Sequence, residues 1–176
     1  MPSGWSLRYR SEHLAWQHSG ADIRVSDGEA RVEWSGGPGA DRAIERALAA
    51  AERISNAEGA IPSGAVVATF HLYKQAPGAE LLAGVSFLTA PADTVEFTSR
   101  LNTPDAVPAW EPWWNGLIEQ AVREEMNDGG WSGRVELIDA LAHPVDSKDL
   151  AWRIASRWAI RYGFGDAPLR SGDQPA

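Results

Sequence analysis

Cysteine is absent from the 176 residues of this chain, and lysine occurs only twice. Without cysteine the chain forms no disulfide, thiol nucleophile, zinc–thiolate site or iron–sulfur cluster. Long hydrophobic runs are missing as well, since no apolar stretch approaches the ~20 residues that span a bilayer, and the first residues contain no hydrophobic signal core. These absences predict a cytoplasmic protein that does not enter a membrane.

Negative charge predominates, because the chain has 24 acidic and 16 basic residues and a formal net charge of -8. A nucleic-acid-binding surface needs basic residues that neutralise phosphates, so this balance argues against a nucleic-acid partner. Tryptophan is abundant, with nine residues. Each indole brings a large apolar area and one N–H that needs a partner when buried. Each indole is therefore expected either in the hydrophobic core or on a binding surface.

The signatures of common catalysts are also missing. The chain has no G-x-S-x-G nucleophile elbow, no P-loop, no dinucleotide-binding glycine motif, no H-E-x-x-H and no EF-hand loop. Only four histidines are present, and their spacing does not suit a metal site. We therefore expect no cofactor and no metal, and a non-enzymatic function is favoured.

Alternating apolar and polar residues predict strands along much of the chain. The most specific signal is a hairpin over residues 23–34, because Asp27-Gly28 favours a two-residue turn with positive φ at both positions. In that register Ile23 faces Val32. Further strands are predicted over 5–10, 14–18, 65–73, 81–89, 95–101 and 134–140.

Apolar stripes at helical spacing predict three helices, over residues 41–56, 112–127 and 147–163. Strands come in runs instead of alternating with helices, which indicates the α+β class. We expect a mainly antiparallel sheet of about six to eight strands with the three helices packed on one face. Residues 1–164 should form a single domain, and residues 165–176 a flexible tail.

Binding of another protein is the leading functional hypothesis, as for an accessory, regulatory or immunity-like protein. Trp110 and Trp113 flank the start of the second helix, and tryptophan and arginine are enriched in binding hot spots. Three arginines are spaced four apart along the third helix: Arg153, Arg157 and Arg161. The alternative for these arginines is an internal ion-pair network with acidic residues of the second helix, among them Glu125, which falls within that helix's apolar arc.

An enzyme or small-ligand site on the sheet is the second hypothesis. Five polar residues could share one face of the sheet: His71, Tyr73, Ser86, Glu96 and Arg100. His71 and Glu96 would be catalytic, because histidine suits proton transfer near neutral pH. The other three would bind a small molecule. The same pattern is typical of the solvated side of an antiparallel sheet.

Carbohydrate binding by exposed tryptophans is a third hypothesis. Flat indole rings can stack against sugar rings. It requires several of the nine indoles to lie exposed and aligned on one surface.

Overall fold

The computed structural model describes residues 4–13, 17–36, 41–59, 61–74, 80–103 and 107–165. The strands are β1 (Gly4–His13), β2 (Gln17–Ser26), β3 (Glu29–Gly36), β4 (Val66–Lys74), β5 (Leu81–Ala90), β6 (Val95–Ser99) and β7 (Gly133–Leu141). The helices are α1 (Asp41–Glu58), between β3 and β4, α2 (Trp114–Gly129), between β6 and β7, and α3 (Asp149–Phe164), after β7. The predicted tail lies, apart from Gly165, outside the described residues, as do residues 14–16 of a predicted strand.

All seven strands belong to one sheet, in the order β3-β2-β1-β4-β5-β7-β6. Neighbouring strands are antiparallel except for the parallel pairs β1–β4 and β6–β7. The predicted α+β class, the number of strands and the mainly antiparallel sheet are therefore confirmed. The strands from β4 to β6 do not form a simple meander, because β7 inserts between β5 and β6.

The hairpin formed by β2 and β3 has the predicted register, with Ile23 opposite Val32. Asp27 and Gly28 both adopt positive φ, at 52° and 79°. Such a turn matches the right-handed twist of the flanking strands. Farther from the turn, the pairing of β2 with β3 is irregular, because its register shifts between Asp22 and Ile23.

The sheet separates two hydrophobic cores, and β4 contributes to both. Phe70 and Leu72 belong to the core beneath α2 and α3, whereas Val67 belongs to the core beneath α1. The α2/α3 core also contains Phe87, Leu137 and Trp152. The α1 core has no tryptophan or phenylalanine among its buried residues, and α1 contributes three alanines to it, Ala47, Ala50 and Ala51.

The placement of α1 corrects the expectation that all three helices share one face of the sheet. β4 carries apolar residues on both of its sides, so each side needs cover. α2 and α3 cover the side of Phe70, and α1 covers the side of Val67 together with Leu7 of β1. Within the described ranges, no helix has the length and apolar character needed to cross a membrane.

Candidate ligand-binding pocket

A pocket of about 280 Å³ opens on the α1 side of the sheet, beside the first turns of α1. Its walls combine aromatic, cationic and aliphatic side chains. It is lined by Tyr9, Ser11, Arg42, Ala43, Arg46, His71, Leu72, Tyr73, Leu82 and Leu141. Two of the residues predicted for a site on the sheet, His71 and Tyr73, are therefore together in one concave site.

The position of the pocket follows from the direction of the strands. β1 and β4 run parallel, and Ser11 and Tyr73 line the pocket close to the carboxyl ends of these strands. Arg42 and Arg46 come from the first turns of α1. In sheets with parallel strands, ligands commonly bind beyond the carboxyl ends, where the positive end of a helix favours negative charge.

His71 owes its place to a glycine on the neighbouring strand. Gly84 lies opposite His71, and a Cβ added there would be 2.7 Å from the His71 Cδ2 atom. The absence of a side chain on β5 thus makes room for the imidazole. The ring of Tyr9 meets the imidazole edge-on, with ring centroids 5.5 Å apart.

The imidazole of His71 is neutral at physiological pH. Burial, and to a smaller extent the charge of Arg46, lower the pKa of His71 to about 4. The neutral ring has one N–H donor and one acceptor nitrogen, and among the described residues neither is engaged in a hydrogen bond. So weak a base takes up few protons near neutral pH, which suits the ring to hydrogen bonding more than to proton transfer.

The two arginines of the pocket differ in their partners. Arg46 binds the carboxylate of Asp139 through Nε at 2.7 Å and Nη2 at 3.2 Å, and also donates to the carbonyl oxygen of Ala140. A bulge in the β5–β7 pairing places Asp139 opposite Ser86 and allows this contact. Arg42 is exposed and forms no ion pair with any described residue. Arg42 therefore supplies an uncompensated positive charge.

Hydroxyl groups in and next to the pocket form hydrogen bonds with one another. The Oγ atoms of Ser11 and Ser19 lie 2.9 Å apart, and Thr69 Oγ1 lies 2.9 Å from Ser86 Oγ. Burial raises the pKa of Tyr9, although a hydrogen bond with Ser11 opposes this effect. Ser86 thus lies on the predicted face but is buried and bonded to its neighbour, and it does not line the pocket.

Two of the predicted site residues lie away from His71. Glu96 of β6 accepts a hydrogen bond from Arg134 at 3.0 Å, and Arg100 lies 3.1 Å from Glu136. Because β5 and β7 separate β4 from β6, roughly 14 Å of sheet lies between the two strands. The fold therefore does not bring the predicted catalytic pair, His71 and Glu96, into contact.

The tryptophans predicted for partner binding have different environments. Trp110 is 4% exposed, belongs to the α2/α3 core and donates its Nε1–H to the carbonyl oxygen of Leu101 at 2.8 Å. Trp113 is 56% exposed. Of the two tryptophans, only Trp113 is exposed as a binding surface requires, and the ring of Trp110 instead packs edge-on against Trp152.

The arginines of α3 turn mostly towards α2. Arg157 and Arg161 donate to the carboxylate of Glu125 at 2.9 and 2.7 Å, and Arg157 also donates to Asp128 at 2.8 Å. Burial acts to raise the pKa of Glu125, but the two arginines outweigh it and the net shift is downward. The internal ion-pair network considered for the three arginines is therefore present for Arg157 and Arg161. Arg153 is exposed.

The exposed tryptophans do not form a platform in the part of the chain that the structure describes. Trp34 of β3 is 36% exposed and lies against the guanidinium of Arg10, 5.0 Å from its ring centroid. Trp113 instead contacts the buried Trp114. Because these two exposed indoles pack on different neighbours, the carbohydrate hypothesis has no aligned pair of rings behind it and stays a prediction.

Sequence reasoning did not assign a role to Arg42, Arg46 or Tyr9. The signal that points to this region is Gly84, since a glycine inside a strand often marks a close approach of another group. Combined with His71 one strand away, it could have located the pocket. The contribution of α1 was hidden, because alternation along a strand does not tell which face a helix covers.

Comparison with known proteins gives no assignment. No family model and no curated protein matches the sequence. The crystal structure of a protein from Thermus thermophilus is similar to part of the chain, with 24% sequence identity and a TM-score of 0.47. The match covers 55% of this chain and 15% of that chain. So partial a likeness assigns no function.

Proposed function

We propose that this protein binds a small organic molecule in the pocket between α1 and the sheet. The observation behind the proposal is the neutral imidazole of His71, which faces a pocket of about 280 Å³ without a hydrogen-bond partner among the described residues. Buried polar groups in proteins are normally hydrogen-bonded. A partly buried ring with both nitrogens unengaged is therefore available to a ligand.

The composition of the walls supports the same function. Ligand pockets usually have apolar walls and a few converging polar groups, with volumes from about 300 Å³ upwards. Leu82 and Leu141 provide aliphatic surface here, and His71 and Arg42 provide polar groups. The pocket's volume of about 280 Å³ is just below that range, so the pocket suits a molecule smaller than a typical drug.

Binding without chemical conversion is favoured over catalysis. A general base works best when its pKa lies near the working pH, whereas the pKa of His71 is lowered to about 4. The carboxylate of Asp139 on β7 is held by Arg46 and does not line the pocket. Among the residues that line the pocket, no carboxylate is therefore in place to orient the imidazole for proton transfer.

The test is a screen of a small-molecule library by ligand-observed NMR, with one variant that fills the pocket. Leu141→Trp places a large ring in the pocket, and Leu150→Trp is the control, because Leu150 is 57% exposed on α3 and lies outside the pocket. We expect ligands that bind the wild-type and control proteins and lose binding to Leu141→Trp. A library without ligands for the wild-type protein, or equal binding to all three proteins, would overturn the proposal.

Binding of another protein is a second candidate function, supported by apolar groups near the start of α2 and α3. Three large apolar side chains are exposed there: Trp113 at 56%, Val145 at 70% and Leu150 at 57%. Exposed apolar surface that persists in a folded protein often marks an interaction site. Trp114 links the two helices in this region, since its ring contacts those of Trp113 and Trp152.

A partner-capture experiment with matched variants tests this second function. The double variant Trp113→Ala with Leu150→Ala removes the apolar surface, and Val32→Ala is the control, because Val32 is 58% exposed on β3. We expect a stoichiometric partner that is held by the wild-type and control proteins and is lost by the double variant. Retention by the double variant, or no stoichiometric partner at all, would contradict the hypothesis.

A further inference from the structure

The charged groups that line the pocket containing His71, between α1 and the sheet, are all positive. Arg42 and Arg46 line it, and no aspartate or glutamate among the described residues does, although the chain as a whole has a formal net charge of -8. We infer that the ligand of this pocket is a monoanion, a carboxylate attached to a small apolar or aromatic body. The inference rests on the proposed function and adds the chemical class of the ligand.

The number of charges favours a single negative charge on the ligand. The two-point contact with Asp139 compensates the charge of Arg46, and His71 is neutral. Arg42 remains, and the first turn of α1 adds the partial positive charge of a helix N-terminus. Asp41 lies in that first turn and offsets this partial charge, and Glu45 is exposed on the same helix but does not line the pocket. The excess near the pocket is thus about one positive charge.

The geometry of the groups favours a carboxylate in particular. The planar guanidinium of Arg42 can donate two parallel hydrogen bonds to a carboxylate. The neutral imidazole of His71 adds an N–H donor that is not engaged by any described residue. Leu82, Leu141 and the ring of Tyr9 provide apolar surface for the rest of the molecule. A cationic ligand would meet the charge of Arg42, and no carboxylate among the described residues that line the pocket would offset the repulsion.

Three probes with one skeleton test the inference: benzoate, benzamide and benzylamine. Affinities are measured by NMR titration at low salt with the wild-type protein, Arg42→Gln and Arg53→Gln. Arg53 is the control, because it is exposed on the same helix and lies outside the pocket. Thermal denaturation verifies that both variants fold.

Benzoate should bind the wild-type protein and the Arg53→Gln variant equally, and Arg42→Gln should weaken its binding about tenfold or more, as for the loss of a charged hydrogen bond. Benzamide, which has no charge, should bind the wild-type protein more weakly than benzoate by a similar factor. Benzylamine should not bind. The His71 resonances should titrate at higher pH with benzoate present, since a nearby anion stabilises the imidazolium.

The outcomes separate this inference from the proposed function. Benzamide or benzylamine binding as tightly as benzoate, or an unchanged benzoate affinity in Arg42→Gln, would show that the ligand class is wrong while the pocket still binds molecules. If benzoate does not bind and the library ligands are mainly neutral or cationic, the inferred ligand class is likewise wrong, although the pocket binds molecules. If no library molecule binds the wild-type protein, the proposed function itself fails.

Discussion

The two faces of the sheet are covered unequally, since α2 and α3 pack on one face and α1 alone packs on the other. Seven strands span about 29 Å at their usual spacing, whereas a helix with its side chains is only about 10 Å across. One helix therefore leaves part of its face uncovered. Hollows of about 280 and 310 Å³ remain on that face, beside the first turns and the second half of α1.

The difference in cover explains where polar groups occur. On the α2/α3 face, large rings such as Trp152 and Phe87 fill the core, and the buried carboxylate of Glu125 is compensated by two arginines. On the α1 face, small residues such as Ala47 pack against the sheet, and His71 faces a hollow. Incomplete cover thus leaves polar groups within reach of a ligand, whereas denser cover closes them off from solvent.

The largest effect is expected from Trp152→Ala on the densely packed face. Trp152 is fully buried, with its ring 5.3 and 5.0 Å from those of Trp110 and Trp114. Its removal leaves a cavity and should lower the free energy of unfolding by about 3–5 kcal/mol. Urea denaturation followed by circular dichroism measures the change. Trp113→Ala, at an exposed position, should change stability by less than about 0.5 kcal/mol, and equal losses in the two variants would contradict the comparison.

On the loosely covered face, His71 should make stability depend on pH. Its pKa lies near 4 in the folded protein, below the ordinary value of 6.5. Between these values the unfolded chain binds a proton that the folded protein does not, so stability falls as the pH falls from 6.5 to 4. The loss should be about 3 kcal/mol. Urea denaturation at a series of pH values measures it.

His71→Asn is the control for this pH dependence. The variant has no group that titrates at this position, so its free energy of unfolding should change much less between about pH 6.5 and 5, where most carboxylates are still ionised. Equal slopes in the two proteins would show that His71 is solvated like an exposed histidine.

Glu125→Gln tests the charged group of the densely packed face. The side chain of Glu125 is 4% exposed between Arg157 and Arg161, and its replacement should lower stability by about 1–3 kcal/mol at neutral pH. The pKa of Glu125 is lowered from 4.5, so this contribution is fully present above that ordinary value and is lost as the pH falls through the folded value.

Denaturation of Glu125→Gln at neutral pH and in acid checks both statements, because the difference from the wild-type protein should shrink in acid. Glu124→Gln is the matched control, since Glu124 is exposed and lies 3.9 Å from Arg157. It should change stability by less than about 0.5 kcal/mol. A difference that persists undiminished in acid would contradict the lowered pKa.

Local features of the fold could be predicted from the sequence, because they depend on neighbouring residues. Asp27-Gly28 determines the turn and register of one hairpin, and alternation correctly assigns Phe70 to the core and His71 to the opposite side of β4. The order of the strands could not be predicted, since alternation does not identify the neighbour of a strand. The parallel pairing of β1 with β4 depends on contacts far apart in sequence.

The candidate site could be predicted only in part for the same reason. His71 and Tyr73 lie two apart on one strand, so alternation places them together. Arg42 and Arg46 reach them only because α1 packs on that face, and β4 is apolar enough on both sides to accept a helix on either. Glu96 satisfies the alternation but lies on β6, beyond two intervening strands.

The smallest effect is expected from an ion pair on the side of α2 and α3, at the part of the sheet formed by β2 and β3. Arg24 and Glu33 lie 2.8 Å apart, but their side chains are 58% and 48% exposed. A double-mutant cycle with Arg24→Gln and Glu33→Gln should give a coupling below about 0.5 kcal/mol, because water screens both charges. Added salt should reduce it further. A coupling energy as large as the stability loss expected for Glu125→Gln would show that burial beneath a helix does not determine the strength of charged contacts in this protein. The contrast between covered and uncovered parts of the sheet would then have no physical basis.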